Sequence, residues 1–271
     1  MTQELQSLIV LGTGNAMVTR CFNTCFALRF GQGYFLVDSG GGNGILRALA
    51  DAGISACDIH DIFITHAHTD HILGMPWLVR SIGTQMLANR YEGMLNIYCH
   101  DVAAQAIRTI CALTIQKKFT KLFDDRIRFV TLKDGDTAQI LGRDVRFFDI
   151  RSTKAKQFGM QVALPQGRSL VCLGDEPCDP QCESLAANAD WLLCEAFCLY
   201  EDRDRFKPYE KNHSTARDAA QLAARLGVKN LVLWHTEDKT LNTRAAAYTA
   251  EAKDYFSGNI FVPNDLDIIR L

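Results

Sequence analysis

Apolar positions in this chain gather in short continuous runs, not in long amphipathic stripes. Residues 7–11, 25–30, 34–37 and 61–65 are rich in β-branched and aromatic side chains and are bounded by glycine or polar residues. Such runs predict buried strands. Gly31-Gln32-Gly33 reads as the turn of a hairpin between the second and third of them. Helical spacing follows at about 44–52 and again at 72–87. A strand at 95–99 and a helix from 101 to about 116 continue the pattern. Strands are then predicted at 127–132, 138–141, 145–150, 158–164 and 169–173. The last part alternates: strand 191–194, helix 215–226, strand 231–234 and a helix at about 244–256. No Pro/Ser-rich linker interrupts the series. The reading is an α/β chain whose residues 1–271 form a single domain built of two similar βα halves.

Composition changes this picture little. Apolar residues make up 48% and charged residues 22% of 271, ordinary values for a globular enzyme. A formal charge of -2 gives no global attraction to nucleic acid or to an anionic membrane. Two local basic patches, Lys117/Lys118/Lys121 and Arg151/Lys154/Lys156, read equally as solvated faces or as phosphate contacts. Met1-Thr2-Gln3-Glu4 lacks the features of a signal peptide, and no apolar run is long enough to span a bilayer, so the protein is expected to be cytoplasmic. The ten cysteines form no CxxC pair and lie mostly in apolar segments, which predicts reduced, buried thiols. Cys178 and Cys182 are the exception, close together in a loop-to-helix stretch. Gly12-Thr13-Gly14-Asn15 is not a dinucleotide fingerprint, because Met17 stands where the third glycine belongs.

The chemistry concentrates in His66-Ala67-His68-Thr69-Asp70-His71, directly after a predicted strand. Imidazoles gathered this closely repel one another when protonated, and a bound metal removes the repulsion. Three further strand ends carry donors: Asp38 before a glycine run, Asp175 in Gly174-Asp175, and His235 after 231–234. Asp38 reads either as an acceptor orienting a ligand histidine or as a turn and helix cap. His100 reads as a cap more than as a ligand. His213 precedes Thr215-Ala216-Arg217-Asp218, a capping box that accounts for Thr215 but leaves the histidine unexplained.

Taken in order, Gly12-Thr13-Gly14, Asp38-Ser39-Gly40, the 66–71 cluster, Gly174-Asp175, His213-Ser214-Thr215 and His235 resemble the metallo-β-lactamase fold superfamily, and within it the ribonuclease Z-like phosphodiesterase branch. The resemblance implies a four-layer αβ/βα sandwich. It also implies two divalent metals, zinc or else manganese or iron. His66 and His68 would bind the first, Asp70, His71 and His235 the second, and Asp175 would bridge them. A metal-bound hydroxide would be the nucleophile. His213, Asp70 and Glu195 would form the catalytic set, with His213 as the acid and Glu195 holding it in place. The resemblance further points to a homodimer.

Two departures qualify it. The superfamily has a further first-site histidine where this chain has Arg151, which stays protonated and cannot ligate a metal. A weakened first site follows, or a guanidinium placed to contact substrate phosphate. The segment from Arg151 to Asp175 also leaves no room for the long arm of the tRNA-processing members. The expected activity is hydrolysis of a small or nucleotide-like phosphodiester. The alternatives are a thioester, lactone or amide hydrolase of the same fold, and a non-catalytic binding or sensing member.

Overall fold

In the computed structural model, which describes residues 6–271, the short apolar runs become strands of two seven-stranded mixed sheets. In chain order the strands are β1 (Gln6–Gly12), β2 (Cys25–Phe30), β3 (Gly33–Val37), β4 (Ile59–Ile64), β5 (Leu95–Cys99), β6 (Ile127–Thr131) and β7 (Thr137–Ile140). They continue with β8 (Arg143–Asp149), β9 (Phe158–Ala163), β10 (Ser169–Cys172), β11 (Trp191–Glu195), β12 (Asn230–Trp234), β13 (Asn259–Phe261) and β14 (Ile268–Arg270). The α-helices are α1 (Gly44–Asp51), α2 (Thr69–Ile72), α3 (Met75–Leu87), α4 (Asp101–Thr114), α5 (Lys117–Thr120), α6 (Glu183–Ala186), α7 (Arg203–Phe206), α8 (Ala216–Leu226) and α9 (Arg244–Lys253).

The chain divides into two compact units. The first comprises residues 6–12, Phe22–Lys133 and Asp265–Leu271. Its sheet has the order β14-β1-β2-β3-β4-β5-β6, antiparallel as far as β3 and parallel from β3 to β6. Inner parallel strands covered on both faces need continuous apolar sequence, and Ile62, Phe63 and Ile64 of β4 are fully buried. Ile45 and Leu49 of α1, Leu78, Val79 and Ile82 of α3, and Ala103 and Ile107 of α4 pack into the same core.

The second unit comprises Thr13–Cys21 and Asp134–Asn264. Its sheet runs β13-β12-β11-β10-β9-β8-β7, parallel from β13 to β10 and antiparallel beyond. Helix α8 buries Ala216, Ala219, Ala220, Ala223 and Leu226 at helical spacing against it. The capping box expected at Thr215 is formed: its side chain accepts from the Asp218 amide, and the Asp218 carboxylate accepts from the Thr215 amide.

The helix read at 72–87 proves to be two elements. Gly74 separates α2 from α3, because its N–H donates to Gly40 O and a Cβ at this position would stand 2.0 Å from Ser39 O. Only glycine admits that backbone contact.

Candidate metal centre

In the first unit the 66–71 cluster follows β4 directly. His68 is the N-cap of α2, and Asp70 and His71 lie on that short helix. His66, Asp70 and His71 are buried. Asp38, just past β3 with φ +59, sits beneath them. Its Oδ1 accepts from the Thr65 amide at 2.8 Å, and its Oδ2 accepts from Thr65 Oγ1 at 2.8 Å and faces His71 Nδ1 at 2.7 Å. Ser39 adds its N–H and Oγ to the carbonyl of His71. Of the two readings of Asp38 the structure chooses the positioning one; the N-cap of α1 is Asn43.

These bonds also dictate tautomers. A carboxylate only accepts, so His71 Nδ1 carries the proton it gives to Asp38, and in the neutral ring the lone pair falls on Nε2. Thr65 has one hydroxyl proton, spent on Asp38. Its oxygen therefore accepts from His66 Nδ1 at 3.0 Å, which leaves the lone pair of His66 on Nε2 as well. His66 Nε2 lies 2.8 Å from His68 Nδ1, so that lone pair accepts a hydrogen bond from the His68 Nδ1–H. His71 Nε2 stands 3.3 Å from Asp70 Oδ2. Burial opposes charge on His71, but Asp38 and Asp70 override it and hold its pKa well above the usual value. Carboxylates that favour a proton at that nitrogen favour a cation in the same place. Buried imidazole lone pairs beside a carboxylate fit a divalent metal.

In the second unit β10 leads through Gly174 into Asp175, and His235 directly follows β12, with φ +55. His213 comes from the segment before α8. Asp175, His213 and His235 offer donor atoms that all lie within 4.8 Å of one another. His235 Nε2 is 3.5 Å from Asp175 Oδ2. The His213 ring stacks on Phe197 at 4.9 Å between centroids, and its Nδ1 faces Glu195 Oε2 at 3.7 Å. Burial, reinforced by His235, lowers the His213 pKa to about 3. Burial pushes the Glu195 carboxyl well above its usual range, against the pull of the Ser214 amide that donates to Oε1.

Each unit thus gathers the donors predicted for it. Arg151 is exposed, with φ +61, just beyond β8. His100 is the buried N-cap of α4, accepting from the Ala103 amide. All ten cysteines are free thiols, and burial pushes Cys178 up to about 12. Lys117, Lys118 and Lys121 are exposed. Three residues at the site carried no advance signal: Thr65, Phe197 and Gln157, whose Nε2 donates to Asp175 Oδ1 at 2.6 Å. A strand-end threonine or glutamine matches no motif, and these contacts are non-local.

Similar proteins bear on this geometry. The metallo-beta-lactamase fold protein YhfI from Bacillus subtilis superposes with a TM-score of 0.77 at 17% identity, over 99% of this chain and 100% of that one. The short form of human tRNase Z does so with a TM-score of 0.72 at 23% identity, over 97% and 98%. In sequence, a ribonuclease Z of Nocardia farcinica is 28% identical over 98% of both chains. Fold and donor clusters together define a metallo-hydrolase of the metallo-β-lactamase fold, in its ribonuclease Z-like branch. The family described as anti-Pycsar protein Apyc1 matches residues 6–253, and the chain belongs to that family.

Proposed function

We propose that this protein is a cytoplasmic, metal-dependent phosphodiesterase acting on a small or nucleotide-like phosphodiester. The observation that carries the reading is His213, held by Phe197 and facing Glu195 within reach of Asp175 and His235. A hydrolase with a poor leaving group needs a proton donor beside its metal ligands. The family pattern assigns His66 and His68 to one metal, Asp70, His71 and His235 to a second, and Asp175 to both. The residue at the family's remaining histidine position is Arg151, so the first site is the weaker one. Divalent metals supply Lewis acidity and lower the pKa of a bound water. The chain's own residues do the rest. Asp38 and Thr65 keep the Nε2 lone pairs of His71 and His66 available. Burial keeps the free His213 ring neutral, so its role as acid requires the anionic diester beside it to favour the imidazolium, which then gives its proton to the departing oxygen. Glu195 faces Nδ1 of the ring.

Turnover of a dinucleoside monophosphate, a diester with an unactivated alkoxide leaving group, compared with lactone and thioester substrates, tests this. His213→Ala is expected to lower kcat on the diester by about 100- to 10,000-fold at unchanged metal content. Turnover confined to lactones and thioesters, with His213→Ala harmless, overturns the proposal. Two full metal equivalents, unchanged in Arg151→His, overturn the weaker first site.

A further inference from the structure

Gln157 lies in the second unit at the entrance to β9, and its side chain is completely buried. Its Nε2 donates to Asp175 Oδ1 at 2.6 Å, whereas its Oε1 meets no hydrogen-bond partner among the described residues. Reversing the amide would set Oε1 against a carboxylate oxygen, so the site dictates this orientation. Filling space does not account for the residue. A leucine would occupy a similar volume without leaving a buried carbonyl oxygen unpaired, which is costly. The amide is there for its bond to Asp175. Gly174 is shaped to admit it: a Cβ at that position would stand 2.4 Å from Gln157 Nε2, and the backbone there has φ +80.

We propose that Gln157 is the positioning residue for Asp175, and that in a chain with Arg151 at the family's histidine position this bond sets the affinity of the weaker, first-site metal of the two that would share Asp175. The proposal rests on the reading of Asp175 as a metal ligand. With Oδ1 engaged, the carboxylate is held in one rotamer, and Oδ2, on the His235 side, is presented in a fixed direction. Partners of this kind change metal affinity by about 10- to 100-fold.

The test is titration of the metal-free full chain with zinc by calorimetry, and with cobalt(II) by its visible absorption. Gln157→Leu is expected to weaken one metal equivalent by about 10- to 100-fold, with the melting temperature of the metal-free protein unchanged or raised. Gln157→Met, which adapts to the same cavity, gives the same loss and serves if the leucine variant does not fold. Gln157→His, able to donate a ring N–H to Asp175, restores most of the affinity, and Arg151→Ala leaves it unchanged. If both apolar variants bind like the wild type while Asp175→Asn loses an equivalent, the role of Gln157 is overturned. If Asp175→Asn also binds like the wild type, the ligand reading beneath it fails.

Discussion

At Asp38 one carboxylate accepts from the Thr65 amide and hydroxyl and faces His71 Nδ1, so a single side chain orients His71 directly and His66 through Thr65. Asp38→Ala is expected to weaken metal binding by about 10- to 100-fold, read by zinc titration of the metal-free protein. The loss comes from imidazoles released into the wrong tautomer, not from a missing ligand. The donor types at the candidate site were legible in the sequence, because imidazoles crowded into the 66–71 stretch beside a carboxylate suit little besides a cation. Asp38 was half legible: a strand-end aspartate before glycines fits a cap as well as a positioning acceptor, and only the contact with Thr65 and His71, far along the chain, decides. Gln157 was not legible at all, since its importance depends on a glycine at position 174.

Elements were easier to read than their ends. Runs such as Ile62-Phe63-Ile64 leave little choice but a buried strand. The break at Gly74 escaped because apolar spacing continues across it, and its cause is a backbone contact with Ser39 and Gly40. Strands β13 and β14 span only three residues each and are partly exposed, too short for a pattern to register. Two element-level predictions follow from bonds at element ends. Thr215→Ala removes half of the α8 capping box and is expected to cost about 1 kcal/mol, measured by urea denaturation. Asp190 joins the start of β10 to that of β12, accepting from Ser169 N at 2.9 Å and Lys229 Nζ at 2.7 Å. Burial opposes its charge, but Lys229 and the Ser169 amide prevail and hold the carboxyl below its usual value. Its contribution is therefore present above the unfolded carboxylate pKa and is lost as pH falls through the folded one. Asp190→Asn should destabilise by about 1 kcal/mol at neutral pH, and the difference should shrink as pH falls below the ordinary carboxylate range, as seen in denaturation curves at neutral and acid pH.

On the scale of the whole molecule, each unit has its own sheet and core, and each places its donors at strand ends that are buried yet polar. Clusters of this kind are stabilised by what they bind. Chelation is expected to lower the melting temperature by several degrees, because a metal held only by the folded state contributes about 2.7 kcal/mol at a hundredfold excess over Kd. Restoring the metal should restore the transition in a thermal melt.

The left-handed backbone at Asp38 and His235 gives these donors a further cost. Side chains with a Cβ are strained there by about 1–2 kcal/mol, whereas glycine is at ease and asparagine comes closer to it. A population of variants bred for heat resistance alone, without metal and without a demand for turnover, has an incentive to discard His235, whereas Asp38 is also kept by the Thr65 and His71 donors it satisfies. Metal-free His235→Asn should melt at or above the wild type, so heredity can keep this histidine only through the work it does.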